Sequence, residues 1–244
     1  MKILITGASS GLGAEFARQY ALEENELFLL ARREEKLLAL KEELSLTCKH
    51  ITLIVVDVRD FSLLQKKLSL LPPLDMVILN AGISLGHTHT DIPTLASFKN
   101  LYDVNVISQH AILEVVLPKM QVKKSGKIVF ISSLSSLFTM PTAKVYASSK
   151  RALNAYAEGI MYKYANDGIA VSVMLPGFIK SELTDKNEFA MPFLLETAEG
   201  VKRMKKAIEK GKRWYAFPFR FYFLIQLLQL LPYTIRAYII KNKV

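Results

Sequence analysis

Apolar and polar positions along the 244 residues follow two alternating periods. Short runs rich in Ile, Val and Leu read as buried strands at 2–5, 26–31, 50–56, 75–79, 127–131 and 169–175. Between them apolar residues recur three and four apart, the spacing of one helical face. Leu12, Phe16, Ala17, Tyr20 and Ala21 show it first. The same spacing predicts helices over 34–46, over 61–71 (closed by Pro72-Pro73), over 93–118 and from 145 to about 165. Strand and helix alternate throughout, which argues for an α/β protein with a parallel sheet covered on both faces. No repeat, low-complexity tract or linker divides the chain, so residues 1–244 read as one domain.

Hydrophobic residues make up 51% of the chain, enough for one large core. Cys48 stands alone, which excludes an internal disulfide and argues for a small apolar filler near a helix end. His87 and His89 form a short H-x-H without acidic or cysteine partners at ligand spacing, so no metal site is expected. A strand already begins at residue 2, with no charged and apolar leader before it, and a cytoplasmic setting is the expectation. The formal net charge is +10, and its placement is uneven. The last 44 residues hold 11 Lys and Arg against one acid, Glu209, so the whole excess lies there.

The chemistry-bearing residues follow the ends of strands. After the first comes Thr6-Gly7-Ala8-Ser9-Ser10-Gly11-Leu12-Gly13, a turn that lets backbone N–H groups approach a pyrophosphate at a helix start. After the second comes Arg32-Arg33. An acid at this point would bind both ribose hydroxyls and repel a 2′-phosphate, whereas a guanidinium suits a phosphate dianion. NADP(H) is therefore expected over NAD(H), with Arg32 as the contact; the alternative is that both arginines balance Glu34 and Glu35. Asp57-Val58, Asn80-Ala81-Gly82, Ser133 and Pro176-Gly177 end further strands. Asn105 interrupts the long helical pattern, either as a tolerated polar position or as a disturbance that lets a backbone group hold a water. Tyr146 and Lys150 are four apart on one predicted helix, so they share a face. A tyrosine titrates near ~10, and a nearby cation lowers that value toward the range useful for proton transfer.

Together these pieces, spread over roughly three-quarters of the chain, resemble the short-chain dehydrogenase/reductase family. The resemblance implies a Rossmann fold, a doubly wound seven-stranded parallel sheet whose seventh strand falls near 214–217. It implies hydride transfer between nicotinamide and the carbonyl or alcohol carbon of a substrate. Tyr146 would then be the general acid/base, Ser133 would hold the substrate oxygen, and Lys150 would hold the nicotinamide ribose and lower the Tyr146 pKa. Asn105 would retain a water that links Lys150 to solvent. Gly7, Ser9, Ser10, Gly11, Leu12 and Gly13 would surround the pyrophosphate, Asp57 and Val58 the adenine, and Asn80, Ala81 and Gly82 the cofactor's flank. Pro176, Gly177 and Ile179 would flank the carboxamide, with Ser181 where the family commonly has threonine. The family also implies a homodimer or homotetramer. A carrier-linked 3-oxoacyl reductase is the alternative within this class, and a non-catalytic cofactor-binding regulator the alternative outside it.

Residues 178–195 read as a mobile lid within a substrate region ending at 213, with Phe189, Met191, Phe193 and Leu194 toward an apolar alcohol or ketone. Residues 198–210 form a basic amphipathic helix, suited also to an acidic carrier protein or a coenzyme A phosphate. The extension from 214 is apolar and basic. Its run 219–231 is shorter than the ~20 residues a membrane span needs. Burial against the sheet or another subunit, contact of 200–244 with the inner face of a membrane, and a wall for a long substrate all remain open. Nucleic-acid binding is not expected, because the basic residues alternate with an apolar stripe and accompany no nucleic-acid motif.

Overall fold

The computed structural model describes residues 1–86, 92–185 and 191–241. His87, His89 and Phe189 lie outside the described residues. Seven strands form the sheet: β1 (Lys2–Thr6), β2 (Glu26–Ala31), β3 (His50–Val55), β4 (Met76–Leu79), β5 (Gly126–Ile131), β6 (Ile169–Pro176) and β7 (Trp214–Phe217). All neighbours pair in parallel, in the order β3-β2-β1-β4-β5-β6-β7. This is the doubly wound Rossmann arrangement that the motifs implied. Its order reverses at β1, between β2 and β4, which opens a crevice at the C-terminal strand ends.

Helices cover both faces, which is why the strands read as continuous apolar runs rather than alternating ones. Ile3 and Ile5 point to the layer of α1 (Gly11–Ala21), α2 (Glu34–Leu44) and, near the C-terminus, Thr197–Glu209. Leu4 points the other way, toward Leu64 and Leu68 of α3 (Phe61–Ser69). The helix predicted over 93–118 is three pieces: α4 (Leu95–Tyr102), a π turn over Asp103–Ile107, and α5 (Ser108–Lys123). The disturbance falls on Asn105. Pro118 does not end the helix, contrary to expectation. An interior proline costs about 3 kcal/mol, but Val116, Leu117 and Met120 are buried around it, and each such side chain is worth roughly 1.5–3 kcal/mol. The helix stops instead at Lys124, whose backbone is left-handed at φ 51.

Helix α6 spans Lys144–Lys163 and α7 spans Thr197–Glu209. The C-terminal extension is helical, with α8 (Phe219–Leu230) and α9 (Tyr233–Lys241). Cys48 is buried just after α2, its Sγ 3.2 Å from the Asn25 carbonyl. Among the described residues no helix is long and apolar enough to cross a membrane, and no three His, Cys, Asp or Glu residues cluster as metal ligands.

Candidate active site

The loop after β1 is shaped by close approach. Gly7 and Gly11 have φ of +66° and +53°, a region that favours glycine. A Cβ on Gly13 would lie 2.2 Å from the Gly7 carbonyl oxygen and 2.7 Å from Asn80 Nδ2. The loop is stapled to the turn after β4 through Thr6. Its hydroxyl accepts from the backbone N–H of Asn80 (2.9 Å) and of Ala81 (3.0 Å), while Asn80 Nδ2 donates to the Thr6 carbonyl (2.9 Å). The sequence showed Thr6 as the start of the glycine turn but not this staple. Gly11 and Leu12, in the first turn of α1, line the crevice, and a helix start favours an anion.

One cavity of about 850 Å³ runs along the C-terminal strand ends. At one end lie Arg32, Arg33, Asp57 and Val58. Arg32 is largely exposed and reaches Asp57 at 3.6 Å. Arg59, which sequence reasoning passed over, holds the Asp57 carboxylate at 2.6 Å and pushes its pKa down to about 2, against the opposing effect of burial. Arg33 lies across the glycine loop and donates to Ser9 Oγ (3.0 Å) and Ser10 Oγ (2.5 Å). Its Nη1 also donates to Glu182 (2.8 Å), and Lys36 donates to the same carboxylate (2.5 Å). These bonds hold Glu182 down at about 2. Nothing in the chain pattern pointed to Glu182, which lies 149 residues from Arg33.

At the other end, Ser133 follows β5 while Tyr146 and Lys150 come from α6, and all three line the cavity. Ser133 Oγ accepts from the backbone N–H (3.1 Å) and hydroxyl (3.0 Å) of Ser135. The Ser133 hydroxyl also acts on the Tyr146 phenol, favouring its ionised form. Lys150 is buried; its Nζ lies 5.8 Å from the Tyr146 ring centroid and donates to the Ile131 carbonyl (2.7 Å). Burial pushes the Tyr146 phenol up to about 12, with the Ser133 bond pulling the other way, and brings Lys150 down to about 8. The lowering of the Tyr146 pKa expected from Lys150 is therefore not what this arrangement shows. Removing a phenolate from water outweighs a cation that faces a carbonyl rather than the phenol oxygen.

Asn105 is fully buried and clamps the loop after β4. It accepts from the Ile83 N–H (2.8 Å) and donates to the Ile83 carbonyl (3.0 Å) and to Ser149 Oγ (3.1 Å). The π turn, wider than an α turn, places this side chain against the loop. A Cβ on Gly82 would meet both Asn105 Oδ1 and Lys150 Nζ at 3.4 Å, so these two groups converge over that glycine. The segment after β5 is pinned by residues that carried no sequence signal. Ser132 donates to Asn154 (2.6 Å), Asn154 to Ser136 (2.8 Å) and Arg151 to the Ser136 carbonyl (2.8 Å).

Pro176, Gly177, Ile179 and Ser181 line the cavity beside α6. Ser181 packs on the glycine loop, 3.2 Å from where a Gly11 Cβ would lie, and its N–H donates to Thr184 Oγ1 (2.8 Å). The apolar wall differs from expectation. Met191, Phe193 and Leu194 are not among the described lining residues; Phe178, Leu183 and three α8 side chains, Phe221, Ile225 and Leu228, are. Phe193 meets Phe221 instead, with ring centroids 6.0 Å apart. Two readings of the extension thus meet in α8, which buries Ile225 against the sheet layer and walls the cavity.

A dinucleotide suits these residues. A glycine cradle that a single Cβ would fill lies at one helix start, cations lie at one end of the cavity, and a Ser-Tyr-Lys set lies at the other. The bound group supplies the hydride chemistry; the chain supplies the surroundings. Fold and site together define a nucleotide-dependent oxidoreductase of the Rossmann class. The comparisons agree. The family model described as short chain dehydrogenase matches residues 1–191. An uncharacterized oxidoreductase of Myxococcus xanthus is 33% identical over 94% of this chain and 92% of its own. The very-long-chain 3-oxoacyl-CoA reductase-A of Danio rerio is 31% identical over 74% of this chain and 59% of its own. The structure of a short-chain dehydrogenase from Sphingobium yanoikuyae in complex with NADPH matches with a TM-score of 0.83 at 23% identity, over 89% of this chain and 88% of that one. The chain belongs to the short-chain dehydrogenase/reductase family and is an oxidoreductase.

Proposed function

We propose that this chain is an NADP(H)-dependent reductase or dehydrogenase of lipophilic ketones and alcohols, with Tyr146 as the general acid/base. The observation that carries the reading is one cavity with Arg32 and Arg33 at one end, Ser133, Tyr146 and Lys150 at the other, and an apolar wall from α8 beside them. Ser133 holds the substrate oxygen and Tyr146 delivers a proton to it, or removes one in the reverse direction. Lys150 and Asn105 hold the ribose side and the proton path. The Danio rerio relative's name, a reductase of very-long-chain 3-oxoacyl-CoA, supports a greasy carbonyl substrate, and the NADPH complex of the structural neighbour supports the phosphorylated cofactor. A homodimer or homotetramer belongs to the same reading, with α5 and α6 offering exposed Val122 and Tyr162.

The test is turnover of a series of straight-chain ketones with NADPH and with NADH. Each methylene buried against α8 is worth about 0.8 kcal/mol, so kcat/KM rises roughly fourfold per carbon until the wall is filled. NADPH exceeds NADH by about tenfold or more, since a charge-assisted hydrogen bond contributes about 1.5–3 kcal/mol. Arg32→Ala weakens NADPH and leaves NADH unchanged, while Glu182→Gln, which frees Arg33 and Lys36, tightens NADPH. Equal loss of both cofactors in Arg32→Ala would remove the phosphate reading, and absence of turnover with every carbonyl and alcohol would remove the enzymatic one.

A further inference from the structure

Helix α8, with the sequence FRFYFLIQLLQL, is apolar on more sides than the fold uses. Phe221, Ile225 and Leu228 face the cavity. Phe219, Phe223, Leu227 and Leu230, spaced four, four and three apart along another stripe, are exposed, from 47% at Leu227 to 82% at Leu230. Leu224 beside them is exposed too, and α9 adds Tyr233, Ile235 and Tyr238. Scattered apolar residues on a surface need no explanation; eight on two successive helices form a patch that does.

Charge decides what covers it. After Glu209 the chain has no acid, and residues 219–244 carry Arg220, Arg236, Lys241 and Lys243. Arg220 is exposed and, three and four residues before Phe223 and Leu224, shares their face. A second copy docked on this patch by a two-fold axis would set like charges against each other with no acid to answer them. An anionic bilayer answers them, and aromatic side chains with Arg and Lys are what interfacial helices use. The 12 residues of α8 reach only about 18 Å, too short to cross the ~30 Å hydrocarbon core, so the helix lies in the interface rather than through it.

We propose that α8 and α9 dock this protein on an anionic lipid surface, with Phe219, Phe223, Leu227 and Leu230 in the acyl boundary. The same helix then separates bilayer from cavity, so a lipophilic substrate dissolved in the membrane reaches Ser133 and Tyr146 past Phe221 and Leu228. This second clause rests on the lipophilic-substrate reading; the docking itself does not.

Flotation of the full-length protein with phosphatidylcholine vesicles, and with vesicles that also contain phosphatidylserine, tests it. The protein floats with the anionic vesicles at low salt, and added salt weakens the binding because each basic residue near such a surface raises partition about fivefold. Phe223→Asp with Leu227→Asp lowers partition about 100-fold, each buried side chain being worth about tenfold or more. Neither residue lines the cavity. The same variant keeps its NADPH turnover with a short water-soluble ketone, which shows that it is folded and reads the catalytic proposal separately. Failure of the wild type to float with either vesicle at low salt overturns the docking proposal. So does a wild-type oligomer that the double variant dissociates, since the patch would then be a contact between copies.

Discussion

Tyr146→Phe lowers kcat for carbonyl reduction by about 10³-fold, within the ~10²–10⁴ that a positioned acid/base contributes, while NADPH binding and the melting temperature stay close to wild type. The phenyl ring keeps the packing of α6, and Ser133 keeps both hydrogen bonds from Ser135. Such a fall is about 4 kcal/mol of transition-state stabilisation. Single-turnover NADPH oxidation, read alongside cofactor titration, separates the outcomes. Retained turnover would remove Tyr146 from the chemistry, and a retained cellular role without turnover would favour a cofactor-binding regulator. The pH profile follows from the same site. With the phenol at about 12, Tyr146 carries its proton throughout the working range. With Lys150 brought down to about 8, its ammonium is present well below that value, half lost at it and gone as pH rises further. Reduction therefore slows above about pH 8, and a flat rate to pH 10 would show that the Lys150 charge is not needed.

Gly13→Ala is the second large effect. The added Cβ meets the Gly7 carbonyl oxygen at 2.2 Å and its carbon at 2.8 Å, and these are backbone atoms with no rotamer to escape into. The start of α1 must move away from β1 and from the Thr6–Asn80 staple. Overpacking typically costs about 1–3 kcal/mol, and a backbone clash belongs at the upper end, so the melting temperature falls by about 6–12 °C. Cofactor binding falls further, about 100-fold, because N–H groups aimed at a pyrophosphate lose their geometry and each such bond is worth about 1.5–3 kcal/mol. Gly159→Ala is the contrast. That position is in α6 with nothing within 4 Å, so alanine stabilises by up to about 1 kcal/mol. Melting curves and NADPH titrations of both variants check the pair; a Gly13→Ala protein with unchanged NADPH affinity would mean the loop does not hold the cofactor.

Much of this was legible in the chain itself. Runs of Ile, Val and Leu separated by helical spacing determined the order of strands and helices, because those periods are local properties of backbone geometry. Their alternation required a parallel sheet, and the crevice at its C-terminal edge follows from that topology. Gly7, Gly11 and Gly13 announced a close approach, and Tyr146 with Lys150 announced a shared face. Packing decided the rest. That Pro118 sits inside a helix depends on the side chains buried around it, and that Glu182 lies on Arg33 and Lys36 depends on a contact across 149 residues. The apolar wall moved from 191–194 to α8 because only the folded chain shows which grease faces the cavity. The sign of the Tyr146 shift reversed for the same reason. A sequence shows that a cation is near, but desolvation depends on how completely the surrounding elements exclude water, and that is a property of the tertiary structure alone.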